Sequence, residues 1–193
     1  MKIGVLAIQG DFAEHITILH GLGVETQEVR LPYQLGDIDG LIIPGGESTT
    51  LSRLMSIYEL REPIQKMASD GKAIWGTCAG MIMMASEITE KDPIPLRLMD
   101  ITVIRNAFGR QIDSFEQDLT VKSLDPLPYH AIFIRAPIIS RVGLEVEVLA
   151  TLEDGRAVAV QQKRLLATSF HPELTKDSRL HDRFVNMASY PLS

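Results

Sequence analysis

Apolar runs of strand length alternate with segments of helical periodicity in the first part of the chain. Four strands are predicted at residues 2–8, 24–31, 41–43 and 73–75, with helices over residues 11–22 and along a face formed by Leu51, Leu54, Met55 and Tyr58. Strands that alternate with helices favour a largely parallel sheet covered on both faces. In such sheets, functional sites lie beyond the carboxyl ends of the strands.

The pattern changes in the second half of the chain, where short alternating runs follow one another. Strands are predicted at residues 101–104, 119–122, 131–134, 146–152, 157–161 and 165–168, and a last helix over residues 179–188. Asp154-Gly155 is a typical hairpin turn. We therefore expect a single α/β domain over residues 1–193, with a three-layer, largely parallel central sheet flanked by helices and an antiparallel extension.

Composition narrows the classes of function. The 193 residues are 45% hydrophobic and carry a formal net charge of −6, which argues against a general affinity for nucleic acid or anionic membranes. A single cysteine excludes an internal disulfide and suits a reducing compartment. The N-terminal apolar run is too short to span a bilayer and lacks the cleavage pattern of a signal peptide, so a cytoplasmic location is expected.

The only cysteine, Cys78, lies between Gly76 and Gly80 where a strand is predicted to turn into a helix. This is the outline of a nucleophile elbow, in which small residues flank a nucleophile with a strained backbone. A thiol at a helix N-terminus feels the positive end of the peptide dipoles, which favours the thiolate. The alternative interpretation is that Cys78 is a small buried hydrophobic residue.

A candidate base and its partner occur far downstream, in His171-Pro172-Glu173. Proline disfavours the helical conformation for the preceding residue, so His171 is expected to be extended. If the tripeptide stays extended, Glu173 points to the same side as His171 and can hydrogen-bond its imidazole. With Cys78, this completes a nucleophile, a general base and an orienting carboxylate. Alternatively, His171-Pro172 only shapes a loop and Glu173 caps the next helix.

The glycine pair Gly45-Gly46 follows the third predicted strand. It could bind phosphate, but the Gly-Lys-Ser/Thr sequence of a P-loop is missing. Its other use is an oxyanion hole, formed by the N–H groups of Gly46 and Ala79. An ordinary strand-to-helix turn with Ser48 as the N-cap is compatible with this role.

The same segments carry a family resemblance. Residues 44–46, 76–80 and 171–173, in this order, resemble the class I glutamine amidotransferases, whose triad is Cys-His-Glu. More narrowly, the chain is similar to the glutaminase subunits of pyridoxal 5'-phosphate synthases. That similarity rests on residues 4–10, 45–49, 105–111, 113–115, 133–137 and 169–175, of which 105–111 and 133–137 are the most specific.

The resemblance implies hydrolysis of L-glutamine to glutamate and ammonia, with Cys78, His171 and Glu173 as the catalytic triad. It also implies that ammonia passes to a separate (β/α)8-barrel synthase subunit, which builds pyridoxal 5'-phosphate, in a hetero-oligomeric complex. The family's glutamine-binding positions fall on Gly46, Glu47, Ser48, Arg105, Ile134 and Arg135. For Arg105 and Arg135, a structural ion pair is the alternative.

Other functions stay open at this point. A glutaminase subunit serving another synthase, such as imidazole glycerol phosphate synthase, would keep the triad but lack the 105–111 signature. A non-catalytic regulator on the same fold and a cysteine protease are further alternatives. We expect neither a cofactor nor a metal, because the five histidines, at positions 15, 20, 130, 171 and 181, show no ligand spacing. We also expect the face that carries Cys78, with Gln9 and Gly10 nearby, to dock on the partner.

Overall fold

The computed structural model describes residues 1–105, 114–124 and 126–189. The strands are β1 (Lys2–Leu6), β2 (Glu25–Val29), β3 (Gly40–Ile43), β4 (Ala73–Thr77), β5 (Ala85–Ile88), β6 (Met99–Ile104), β7 (Ser114–Leu119), β8 (Tyr129–Ile134), β9 (Ile138–Val142), β10 (Glu147–Thr151), β11 (Ala157–Gln162) and β12 (Leu165–Thr168). The α-helices are α1 (Phe12–Gly21), α2 (Ser48–Ile57), α3 (Arg61–Ser69), α4 (Ala79–Met84) and α5 (Arg179–Ser189). Short 3₁₀ helices occupy Pro32–Leu35 and Pro172–Leu174.

Most strands join one mixed sheet, ordered β2-β1-β3-β4-β12-β11-β9-β6-β5 within the described ranges, with β10 beside β11. In this spatial order, the first five strands, β2, β1, β3, β4 and β12, are parallel to one another. Strand β11 pairs antiparallel with β12 and β9, and β9 pairs antiparallel with β6. Strands β7 and β8 form a separate antiparallel ribbon. The expected fold class, a largely parallel sheet flanked by helices with an antiparallel extension, is confirmed.

Side chains of the central strands alternate between two apolar clusters. On β3, Leu41 and Ile43 belong to the cluster that contains α2, α3 and α4, while Ile42 belongs to the cluster that contains α1 and α5. On β4, Ile74 and Trp75 divide in the same way. Because side chains alternate along a strand, these apolar runs are buried on both faces of the sheet.

Some predicted elements were wrong in detail. Of the strand expected over residues 119–122, only Leu119 lies in a strand, as the last residue of β7, because residues 120–122 leave the β7–β8 ladder although Val121 stays buried. Residues 114–118 of β7 were not predicted as a strand. Helix α3 and strands β5 and β9 were not predicted. The 3₁₀ turn at Pro172–Leu174 replaces the extended conformation expected there. Among the described helices, none combines the length and apolar character needed to cross a bilayer.

Strand register places three loops beside one another at the carboxyl edge of the sheet. Ile43 of β3 pairs with Gly76 of β4, and Thr168 of β12 pairs with Thr77 of β4. The segments that follow these strands therefore emerge side by side. They carry the glycine pair, Cys78 and His171, which is the arrangement that parallel topology predicts.

Candidate active site

Cys78 occupies a strained turn between β4 and α4. Its backbone has φ 49° and ψ −105°, and its N–H donates to the Thr168 carbonyl at 2.8 Å. A Cβ on Gly76 would lie 2.5 Å from the Gly80 backbone, and one on Gly80 would lie 1.9 Å from the Ile43 carbonyl oxygen. The turn therefore needs glycine on both sides of the cysteine. Non-glycine residues with a positive φ are strained and persist only where the surrounding structure holds them. They occur most often at functional sites.

The Gly80→Ala variant tests this requirement. Because the new methyl group would overlap the β3 backbone, we expect it to lower the free energy of unfolding by about 1–3 kcal/mol and to displace the cysteine. Urea unfolding measures the loss. The matched control is Gly21→Ala, at the exposed end of α1 with open space around it, which is expected to be neutral or slightly stabilising. Equal stability of Gly80→Ala and the wild type would contradict the close packing.

His171 and Glu173 are hydrogen-bonded despite the 3₁₀ turn. The His171 Nδ1–H donates to Glu173 Oε1 at 2.6 Å, and both residues are buried. The turn begins at Pro172, whose fixed φ suits the first position of a helical turn. The hydrogen bond between His171 and Glu173, expected from an extended segment, is thus formed from a 3₁₀ turn.

The surroundings of His171 favour its protonated form. Burial lowers the pKa of His171, but hydrogen bonds to Cys78 and Glu173 outweigh it and raise the pKa to about 10. The imidazolium therefore places a positive charge beside the Cys78 sulfur. The Cys78 Sγ also lies 3.8 Å from the Ile134 carbonyl oxygen, to which Cys78 donates only in its protonated thiol form.

Asp11 is a second carboxylate near the imidazole. Its Oδ2 lies 3.6 Å from His171 Nδ1, and ligand atoms of Asp11, His171 and Glu173 lie within 4.8 Å of one another. This spacing alone could hold a metal ion. However, His171 Nδ1 carries the proton it donates to Glu173, so that nitrogen has no free lone pair for a metal.

Loop β1–α1 packs on the glycine turn. A Cβ at Gly10 would lie 1.7 Å from the Gly45 carbonyl oxygen, and the Asp11 N–H donates to that oxygen at 3.3 Å. Gly46 has φ 147°, and a Cβ there would lie 2.3 Å from the Gln9 amide nitrogen. Gln9 Oε1 also accepts from the N–H of residue 47 at 3.2 Å. The backbone conformation of the turn is therefore coupled to Gln9.

Glu47, not Ser48, caps helix α2. Its carboxylate accepts from Thr49 N at 3.0 Å and from Thr50 N and Oγ1 at 2.7 Å, whereas Ser48 is the first helical residue. Partial burial raises the pKa of Glu47, but these hydrogen bonds prevail and lower it to about 2. The predicted cap was wrong by one residue, because Glu47 reaches two free N–H groups of the first turn.

The two arginines have different environments. The Arg105 guanidinium donates to the Asp92 carbonyl at 2.6 Å and lies 3.4 Å from Glu47 Oε1. Arg135 follows β8 with φ 42°, a second left-handed non-glycine residue at the site. Of the segment 105–111 that carried the resemblance, residues 106–111 lie outside the described residues, as does residue 113 of segment 113–115.

A cavity of about 440 Å³ brings these groups together, a volume in the range of small-molecule sites. It is lined by Asp11, Gly46, Glu47, Ser48, Cys78, Ala79, Ile82, Arg105, Ile134, Arg135 and His171. Every site residue suggested by the sequence lines it except Glu173, which lies behind His171. Sequence reasoning missed Asp11 and Ile82, although the position of Asp11 just after β1 was a usable signal.

The chain also matches a known family over nearly its whole length. Residues 5–190 match the SNO glutamine amidotransferase family. The chain belongs to this family. A relative in Herpetosiphon aurantiacus, the pyridoxal 5'-phosphate synthase subunit PdxT, is 58% identical over 97% of this chain and 100% of its own. A PdxT from Salinispora arenicola is 53% identical over 96% of this chain and 95% of its own.

One solved structure agrees with this SNO-family assignment, and a second shares the fold. A crystal structure described as a glutamine amidotransferase superposes with a TM-score of 0.92 at 47% identity, covering 97% of this chain and 99% of that one. The PurLQS structure from Thermotoga maritima has a TM-score of 0.73 at 16% identity, covering 96% of this chain and 97% of that one. The second likeness concerns the fold alone.

Two buried histidines lie behind the site of this SNO-family chain. His15 of α1 and His181 of α5 are fully buried, with His15 Nδ1 2.9 Å from His181 Nε2. Burial lowers the pKa of His15 well below its ordinary value and that of His181 to about 3. Both imidazoles are therefore neutral in the folded protein, whereas they titrate near 6.5 when unfolded.

This difference predicts acid destabilisation in a defined window. The unfolded chain takes up protons below the ordinary histidine pKa of 6.5, which the folded chain does not, so the stabilisation present above that pH is lost as pH falls. We expect the free energy of unfolding to decrease by on the order of 1 kcal/mol per pH unit for each histidine between pH 6.5 and 4.5. Urea unfolding across this range measures the slope, and a flat profile would contradict neutral burial.

Proposed function

We propose that this chain hydrolyses L-glutamine to glutamate and ammonia through a thioester on Cys78, and that it supplies the ammonia to a synthase subunit that makes pyridoxal 5'-phosphate. The observation that carries this proposal is the position of His171, hydrogen-bonded to Glu173 and facing Cys78 in one cavity of a SNO-family chain. The domain assignment, a single glutaminase domain over residues 1–193, is part of the proposal.

In the first half of the reaction, the Cys78 thiolate attacks the side-chain amide carbon of glutamine. The C–N bond then breaks as His171, held as imidazolium, gives its proton to the departing ammonia. Glu173 keeps His171 Nδ1 protonated, which leaves Nε2 as the nitrogen that faces the reacting atoms. The product of this half is a γ-glutamyl thioester on Cys78.

In the second half, neutral His171 takes a proton from water as that water attacks the thioester carbon. The C–S bond breaks, the thiolate of Cys78 is restored and glutamate leaves. The N–H groups of Gly46 and Ala79 are proposed to stabilise the oxyanion in both halves. Both residues line the cavity beside Cys78, which supports this role.

Substrate binding is assigned to the remaining lining residues. Glu47 stays ionised to low pH, so its carboxylate or nearby carbonyls suit the α-ammonium group of glutamine. Arg105 and Arg135 supply positive charge for the α-carboxylate. Ser48 and Ile134, which also line the cavity, complete the proposed subsite.

The synthase partner is proposed from the relatives, which are subunits of pyridoxal 5'-phosphate synthase by name. Free ammonia is mostly protonated at neutral pH and then unreactive as a nucleophile, so a chain that produces it needs a sheltered acceptor. Gln9 contacts the glycine turn from the first loop, and a partner that touches this loop could act on the oxyanion hole.

The experiment is ammonia release from glutamine by the full chain, alone and with a pyridoxal 5'-phosphate synthase barrel subunit. We expect hydrolysis to increase on mixing and the synthase to form product with glutamine as the sole nitrogen source. Equal rates with and without the subunit would contradict gating. Absence of ammonia release in the assembled complex would refute the glutaminase assignment.

A further inference from the structure

The triad is backed by a pair of imidazoles that the proposed reaction does not use. His15 and His181 come from helices at opposite ends of the chain and meet behind Glu173, with His15 Nδ1 2.9 Å from His181 Nε2. The Trp75 ring lies edge-on to both, with centroid distances of 5.8 Å to His15 and 4.9 Å to His181. The pair is therefore fixed in an apolar, water-excluded place.

Glu173 has one oxygen turned toward this pair. Its Oε1 accepts from His171, while its Oε2 is buried without a hydrogen bond of good geometry to any described residue. Oε2 lies 3.4 Å from His15 Nε2, and that nitrogen is hydrogen-bonded to Thr77 Oγ1 at the same distance. A buried carboxylate oxygen without a donor costs free energy. The tautomer of His15 that carries its proton on Nε2, facing Glu173 Oε2, is therefore favoured.

The hydrogen bond between the imidazoles decides where that proton is. If His15 donated from Nδ1, its Nε2 would accept from the Thr77 hydroxyl, but the Nε2 lone pair would still face the Glu173 carboxylate and repel it. If His181 donates from Nε2, His15 accepts at Nδ1 and carries its own proton on Nε2, toward Glu173. The second arrangement leaves the buried His181 Nδ1 as an unfilled acceptor, whereas the first leaves it as an unfilled donor and adds the repulsion.

We propose that His15 is a positioning residue of the proposed glutaminase, its Nε2–H shared between Glu173 Oε2 and Thr77 Oγ1, each 3.4 Å away, while His181 fixes the His15 tautomer. The chain of contacts then runs from His181 through His15 and Glu173 to His171. The inference rests on the proposed function for its kinetic consequence, but the contact between His15 and Glu173 does not depend on that function.

The low pKa values of both histidines agree with a neutral pair, which can donate to Glu173 without adding a buried charge. Titratable groups facing His171 are Cys78, Glu173 and Asp11, with His15 behind Glu173. The contact with Glu173 contributes to the raised pKa of His171. If Glu173 is no longer held in position, its contact with His171 Nδ1 weakens, and the pKa of His171 should fall. The alkaline limb of the rate profile would then move to lower pH.

The kinetic test compares His15→Leu with His15→Gln in the assembled complex. The glutamine side chain offers an N–H near the position of Nε2, whereas leucine fills the space without a donor. We expect His15→Leu to lower kcat about 10-fold with KM little changed and the alkaline limb shifted to lower pH, and His15→Gln to restore most of the rate. The matched control is His20→Gln on the exposed side of the same helix, expected to behave as wild type.

Equal losses in His15→Leu and His15→Gln, or an unshifted pH profile in His15→Leu, would overturn the positioning role. A wild-type complex that released no ammonia would refute the proposed function instead. The second measurement needs no activity and no variant: ¹⁵N spectra of the histidine-labelled full chain report the tautomers directly. Protons on Nε2 of both His15 and His181 are expected, and a proton on Nδ1 of His15 would overturn the proposal.

Discussion

The Cys78→Ala variant is expected to lower the rate of ammonia release from glutamine by about 10⁶-fold, the loss typical of removing the nucleophile from a triad. Cys78 is the chain's only cysteine, so no second thiol can replace it. Its side chain is largely buried, and alanine is smaller, so the fold should be retained. Ammonia release by the assembled complex under saturating glutamine measures the effect.

A surface variant provides the control for that loss. Ser56 lies on α2 and does not line the cavity. The Ser56→Ala variant is therefore expected to release ammonia at the wild-type rate. The thermal unfolding of Cys78→Ala should match that of the wild type, which separates lost chemistry from lost structure. Turnover by Cys78→Ala above about one thousandth of the wild-type rate would contradict the thioester mechanism.

Glu173→Gln should cause the second largest loss, about 10³- to 10⁴-fold in kcat, as expected when a neutral amide replaces the carboxylate that orients a catalytic imidazole. Glutamine keeps the shape but removes the charge that faces His171 Nδ1 at 2.6 Å. The amide can also present its oxygen or its nitrogen to the ring, so the tautomer of His171 is no longer fixed. Steady-state kinetics of the complex measure the loss.

The pH profile distinguishes this cause from simple misfolding. His171 has a raised pKa, so its imidazolium persists until the pH rises toward about 10. Removing the charge of Glu173 should lower that pKa, and residual activity should then decline at lower pH on the alkaline side. Glu14→Gln, exposed on α1, is the matched control. A residual profile identical to that of the wild type would mean that Glu173 does not support the imidazolium.

The parts of the site that follow from local sequence were predictable. Cys78 between two glycines, after an apolar strand and before a helix, has few conformations open to it, and the strained turn follows. Parallel strand order then places the loops after β1, β3, β4 and β12 at one edge, so His171 could be expected near Cys78. The His171–Glu173 contact was also predicted, although its backbone is a 3₁₀ turn.

The missed features depend on long-range packing or on competition between neighbours. Glu47 and Ser48 are both possible caps, and only the geometry of the first turn of α2 decides between them. The meeting of His15 with His181 joins residues 166 positions apart, for which no local pattern exists. Asp11 reaches His171 because the loop after β1 folds back onto Gly45. Strands β5 and β9 each contain two consecutive polar residues, Ser86-Glu87 and Ser140-Arg141, so no apolar run marks them, and both pair with β6 in the sheet.

The central claim is that Cys78 forms a covalent bond to the side-chain carbon of glutamine. Its most direct test is the intact mass of the chain, acid-quenched during turnover of glutamine in the assembled complex. We expect a fraction of the chain to carry one added γ-glutamyl group, mapped by peptide digestion to Cys78 and missing in Cys78→Ala. Continued ammonia release with unmodified Cys78, or the same adduct on another residue, would contradict the claim.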